Sequence, residues 1–186
     1  MLPNDAAYTT LNTDITVTNA AEFATAVANS DDQTIANAYN LVASPDYWVW
    51  RTAISAQEVY AVTTGDGTSW SWTAFINRSQ GERDGWREMF AATGVVNAAL
   101  ANIRQGIADI FSGTTGAAQR AHLLAIGRRQ ARRIEKLFSI ATVGGVGTRG
   151  STANPDTMTF EGTLTARDVA HALRGVALSL RGVAPE

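Results

Sequence analysis

Five basic side chains fall close together in the segment GRRQARRIEKLF (127–138): Arg128, Arg129, Arg132, Arg133 and Lys136. A guanidinium presents a planar donor fork that matches carboxylate and phosphate, so such a run offers anion recognition and no bond-breaking chemistry. Every base in the chain except Lys136 is Arg, whereas a merely solubilising surface would carry more Lys. Candidates for catalysis are sparse. His122 and His171 fall on different predicted helices and outside any metal-ligand spacing. The glycine-rich GGVGTRGST (144–152) lacks the Lys-Ser/Thr ending of a phosphate loop, and GDG (65–67) lacks the spaced acids of a calcium loop. Adjacent acids such as Asp31 and Asp32 stand where a helix start favours negative charge. No nucleophile, base and orienting group come together. The chain is therefore expected to be non-enzymatic, with no catalytic residue, no cofactor and no metal site.

The distribution of charge says more than its sum of −2. From Met1 to Asp66 there are eight acids against Arg51 alone, whereas Ala118 to Gly150 holds seven bases and Glu135 as its one acid. On a helical wheel the five bases of the 128–136 run share an arc of about 140°, opposite Leu123, Leu124, Ala131, Ile134, Leu137 and Phe138. Three readings stand for that face: solvation, nucleic-acid backbone, or acids on another subunit. Internal i,i+4 pairing is minimal there and like charges repel, which favours the third reading. A charge-polarised subunit can join head to tail and close into a ring.

These residues need elements to hold them. Residues 1–18 alternate polar and β-branched types (TTLNTDITVT) and are expected to form an extended N-terminal arm. Residues 19–140 are predicted to form one helical core domain. Within it, capping pairs Asn19–Glu22, Ser30–Gln33, Ser55–Glu58 and Ser79–Glu82 open helices. Ile35, Ala38, Tyr39 and Val42 form a buried stripe, and Ser44-Pro45 starts a further helix. Between 55 and 72 a helix competes with a hairpin that would set Tyr60 and Val62 opposite Trp70 and Trp72. Trp86, Met89 and Phe90 face inward; Leu100, Ile103, Ile107, Ile110 and Phe111 line a helix that Gly113 ends. The longest helix is predicted from about Ala117 to Phe138. Residues 141–156 read as a Gly/Ser/Thr-rich linker or loop. In the C-terminal docking segment, 157–186, TMTFEG reads as a strand and Thr165–Asp168 as a helix cap.

The 186 residues suffice for a hydrophobic core, and a 45% hydrophobic fraction speaks against wholesale disorder. With no cysteine there is neither a disulfide scaffold nor a thiolate metal site. No signal peptide and no membrane span are expected. Trp86 reads as core, while Trp48, Trp50, Trp70 and Trp72 read as core or subunit contacts before ligand platforms.

Five stretches resemble a family of small structural proteins of long-tailed phages. They are YWVWRTAISAQEVY (47–60), NRSQGERDGWREMF (77–90), NAALANIRQGIADIFSG (97–113), QRAHLLAIGRRQARRIEKLF (119–138) and NPDTMTFEGTLTARDVAHAL (154–173). The resemblance is to head-tail connector, or adaptor, subunits, and it brings no catalytic motif. It implies a mainly α virion protein of the phage neck, assembled in the bacterial host cytoplasm. Such a subunit forms a homo-oligomeric ring, commonly of about twelve copies, beneath the portal protein. The ring extends the channel for genomic DNA toward a downstream tail or stopper protein. On this reading Arg128, Arg129, Arg132, Arg133 and Lys136 are the candidate interface. The alternatives are another virion part (stopper, tail terminator or capsid decoration) or a non-specific DNA-binding helical module.

Overall fold

The structure is a computed structural model that describes residues 1–61, 69–91, 93–142 and 144–175. It is mainly α, with small two-stranded sheets. The first half runs α1 (Asp5–Thr13), α2 (Ala20–Ala28), α3 (Asp32–Asn40), β1 (Trp48–Trp50), β2 (Ile54–Ser55), α4 (Ala56–Ala61), α5 (Trp72–Ile76) and α6 (Gln80–Ala91). There follow β3 (Val95–Val96), α7 (Ala101–Ile110), α8 (Gly113–Ile126), β4 (Arg128–Gln130), α9 (Arg133–Leu137), β5 (Ser139–Ile140), β6 (Thr157–Met158) and α10 (Ala166–Ala170).

Two units replace the expected single core of 19–140. Unit 1 holds residues Met1–Tyr47, Ala131–Ile140 and Met158–Glu186; unit 2 holds Trp48–Gln130 and Ala141–Thr157. The main chain therefore passes from one to the other four times.

In unit 1 the residues expected to form an extended arm are helical and buried. Asn4 caps α1 by accepting from the Ala7 amide at 2.9 Å, and Ala7, Leu11 and Ile15 follow at i, i+4, i+8 on the buried face. The β-branched threonines tolerate this because their hydroxyls bond back one turn: Thr9 to the Asp5 carbonyl, Thr13 to Thr9 and Thr16 to Asn12. Asp14–Thr18 widen into a π-helical turn that ends at Asn19. Leu11 and Ile15 then join Phe23, Ile35, Tyr39, Ile134, Leu164 and Val169 in one core. The described part of the C-terminal segment belongs to that core as well. Leu164, Val169 and Ala172 are buried in it, and α10 packs on α3. Its cap is as expected: the Thr165 hydroxyl accepts from the Asp168 amide while the Asp168 carboxylate accepts from the Thr165 amide. Residues 176–186 lie outside the described residues.

Helix α3 stops at Asn40, so Val42 leaves the predicted stripe and is 55% exposed. No helix begins at Pro45 either, because the chain there is already extending toward β1. Around Val42 it lies antiparallel to 131–133, with the Ala43 amide donating to the Ala131 carbonyl and the Arg133 amide to the Leu41 carbonyl, both at 2.9 Å.

Unit 2 is built around aromatic side chains. Trp86 is 1% exposed on α6, donates its indole N–H to the Tyr60 hydroxyl at 3.0 Å, and stacks on Trp70 at 5.6 Å between ring centres. Ile107, Ile110, Phe111 and Leu123 complete this core. The capping pairs Ser55–Glu58 and Ser79–Glu82 form as predicted, each serine amide and hydroxyl donating to the glutamate three residues on. Tyr60 and Trp72 both lie in helices, which excludes the hairpin for them; Val62 is outside the described residues. Gly113 opens α8 with φ of 72°, a conformation that glycine adopts without a Cβ penalty, so it joins two helices where it was expected only to end one.

The predicted long helix of 117–138 does not exist. Helix α8 ends at Ile126, and Arg128–Gln130 form β4, antiparallel to β1 with Val49 opposite Arg129. Continuing the helix would leave the β1 backbone without these partners while Val49 and Trp50 are buried, a cost that outweighs local helix propensity. The expected linker of 141–156 is likewise part of unit 2. The amides of Trp48 and Trp50 donate to the carbonyls of Gly150 (2.7 Å) and Asp156 (2.9 Å), and Arg149 closes an ion pair on buried Asp156.

The N-terminal helix gives a direct test of this architecture. Leu11→Ala should cost about 2–5 kcal/mol of stability, measured by urea denaturation, because it empties a fully buried site. A cost near zero would restore the extended arm.

Candidate functional interface

The structure distributes the five candidate bases over both units. Arg128 and Arg129 are successive residues of β4, so their side chains point to opposite faces, and no common arginine face exists there. Arg128 donates to the Thr152 carbonyl at 2.6 Å and stands 5.9 Å from the centre of the Trp48 ring. Arg129 donates to the Gln130 carbonyl at 3.1 Å.

Arg132, Arg133 and Lys136 belong to unit 1, at the start and along the length of α9. Arg132 occupies the N-cap position, where its amide donates to the fully buried Glu135 carboxylate at 2.8 Å and its guanidinium lies 3.4 Å from the same group. Glu135 also accepts from the Gly162 amide at 3.2 Å. Arg133 forks onto Glu22 with contacts of 2.5 and 2.8 Å, and stands over the rings of Tyr39 (4.8 Å) and Phe23 (5.1 Å). Lys136 lies 5.3 Å from the centre of the Tyr47 ring. The inference that this run lacks internal compensation is thus corrected. Arg132 meets Glu135 three residues on, and Arg133 meets Glu22 from a distant sequence position.

A groove of about 680 Å³ opens beside Arg133 and Lys136, with Asp14, Glu22, Leu41 and Val42 among its lining residues. Leu41 is 66% exposed. In the antiparallel pairing here the amides of Ala43 and Arg133 point inward to their partners. Val42, between them, turns its own amide and carbonyl to the opposite side, leaving a short strand edge. The groove-lining Asp14 accepts from the buried Tyr39 hydroxyl at 2.5 Å, and burial together with that carboxylate pushes the Tyr39 pKa up. Hydrogen bonding from Arg133 holds the Glu22 carboxyl below its ordinary value, and Glu22 in turn raises the Arg133 pKa. Sequence reading missed this surface because it buried Val42 by helical periodicity, with Ser44-Pro45 as the stop, whereas the helix already ends at Asn40.

The histidines belong to different units. His122 is fully buried in unit 2 with a ring nitrogen 3.1 Å from the Val59 carbonyl, while His171 in unit 1 packs at a tilt on Tyr8, 4.2 Å between ring centres. Among the described residues no three His, Asp or Glu side chains are grouped as metal ligands, and no helix is long and apolar enough to cross a membrane.

The Arg133–Glu22 pair makes acid sensitivity testable. The folded-state pKa of Glu22 is depressed, so its contribution is present above the ordinary value of 4.5 and is lost as pH falls through the lower folded value. Arg133 stays charged throughout. Wild type should exceed Glu22→Gln in urea midpoint at neutral pH, and the gap should close well below the ordinary glutamate value. A gap that persists in acid would contradict this role for the pair.

No protein-family model matches the chain, and no curated protein and no solved structure matches it either.

Proposed function

We propose that this chain is a non-enzymatic structural subunit of a tailed-phage virion, most specifically a head-to-tail adaptor that forms a ring at the neck. The observation that carries the assembly part is the groove of unit 1. Exposed Leu41 and Val42 border it, with a strand edge and with Arg133 and Lys136 at its side. Exposed aliphatic groups beside Arg make a surface suited to protein contact, and a strand edge adds main-chain bonding to whatever docks. The neck assignment rests on the resemblance of the five sequence stretches given above. On this reading the partners are further copies of the chain, the portal protein and a downstream tail or stopper protein, with genomic DNA passing through the ring.

Arg128 and Arg129 remain candidates for contact with acidic protein surfaces or with DNA in the channel. Their positions on opposite faces of β4 mean that one of them at a time can face a given partner.

The test replaces exposed groups, so folding is spared. Leu41→Asp with Val42→Asp should leave circular dichroism unchanged and abolish both self-association and incorporation into particles, read by light scattering and by immunoblot of purified virions. Normal incorporation would sink the groove as the assembly surface. A gel shift of free DNA by the unassembled wild-type chain, suppressed by salt, would instead favour the DNA-binding module.

A further inference from the structure

Unit 2 carries a second groove, of about 520 Å³, that the assembly reading does not use. Trp50, Leu124, Val146 and Pro155 give it an apolar wall, and α7 contributes Arg104 and Gln105. Its volume falls in the range of small-ligand sites.

Arg104 is the residue that calls for a ligand. Its Nη1 donates to the carbonyls of Ala98 (2.6 Å) and Ala99 (2.9 Å), and the guanidinium lies 4.9 Å from the centre of the Trp50 ring. It forms no ion pair with any carboxylate among the described residues, in contrast to Arg133, Arg149 and Arg174. Two carbonyl dipoles compensate a half-buried cation only in part, and burial accordingly lowers the Arg104 pKa.

Further donors, from the start of α7 and from Trp50, border the same groove. Leu100, the N-cap of α7, offers no side-chain cap, so the amides of Ala101, Asn102 and Ile103 find no acceptor among the described residues. Ala101 itself lines the groove. The Trp50 indole N–H is also without an acceptor among the described residues, on a side chain only 8% exposed. A counter-ion here would meet a guanidinium fork, a helix start and a dehydrated aromatic wall. A planar monoanion suits these better than a strongly hydrated dianion.

We propose that this groove binds a carboxylate at Arg104 and the start of α7, with the rest of the ligand along Trp50 and Leu124. The assignment stands independently of the neck reading. Two sources of the group are separable: a free organic acid, or an aspartate side chain of another polypeptide.

The full chain, labelled with nitrogen-15, is titrated with benzoate, with its neutral isostere benzamide, and with an N-acetyl, C-amide Gly-Asp-Gly peptide. Benzoate or the peptide should shift the Ala101–Ile103 amide signals and the Trp50 indole signal, the latter identified with Trp50→Phe. Preference for benzoate supports the free acid; preference for the peptide supports the polypeptide source. Arg104→Gln should weaken either by about tenfold or more. The comparison of benzoate with benzamide on the wild type needs no variant to fold. Equal shifts from the two, or no shift from benzoate and peptide alike, would overturn the proposal.

Discussion

Asp168 is the carboxylate on which unit 1 closes. It accepts from the Tyr8 hydroxyl at 3.0 Å, from the Thr165 amide at 3.0 Å and from the Thr165 hydroxyl at 2.7 Å. Burial pushes its pKa upward, but the hydrogen bonds from Thr165 and Tyr8 outweigh that and hold it below the usual range. One ionised group therefore caps α10 and fastens α1 to it. Asn12 adds a second tie between the same regions, donating to the Ala172 carbonyl at 2.9 Å. The hydrophobic contacts of Leu11 and Ile15 with Val169 and its neighbours depend on this polar framework being satisfied, because an unmet carboxylate at that depth would be costly.

The same economy governs the arginines. Charge that looks polarised along the sequence is in part neutralised when the chain folds. Glu22 meets Arg133, Asp32 meets Arg174, Asp156 meets Arg149 and Glu58 meets Arg51. The bidentate geometry at Arg133 and its contact with two aromatic rings make this a structural residue of unit 1 first. Surface recognition, on the proposed reading, falls to Leu41, Val42 and Lys136 beside it.

What was legible in the sequence was local. Ser55–Glu58, Ser79–Glu82 and Thr165–Asp168 announce helix starts because donor and acceptor lie three residues apart, and Trp86 announces its burial through the apolar stripe of its own helix. What was not legible depends on a distant partner. Arg128–Gln130 read as helix until β1 is seen to pair with them. Residues 5–13 read as extended because threonine is β-branched, and only the back-bonded hydroxyls and the core beneath reverse that preference. The candidate interface suffered most. Its expected common face relied on an uninterrupted helix, and the break after Ile126 gives Arg128 and Arg129 the two-residue period of a strand.

Because the backbone threads four times between the units, neither can be produced from one uninterrupted stretch of sequence. During synthesis, Leu11 and Ile15 must wait for Leu164 and Val169 to leave the ribosome before their shared interior can form, whereas unit 2 already has its last strand partners once residue 157 has emerged. A nascent chain that has emerged only as far as Thr157 would hold every segment of unit 2 and an open unit 1, its apolar helices available to chaperones or to other nascent chains.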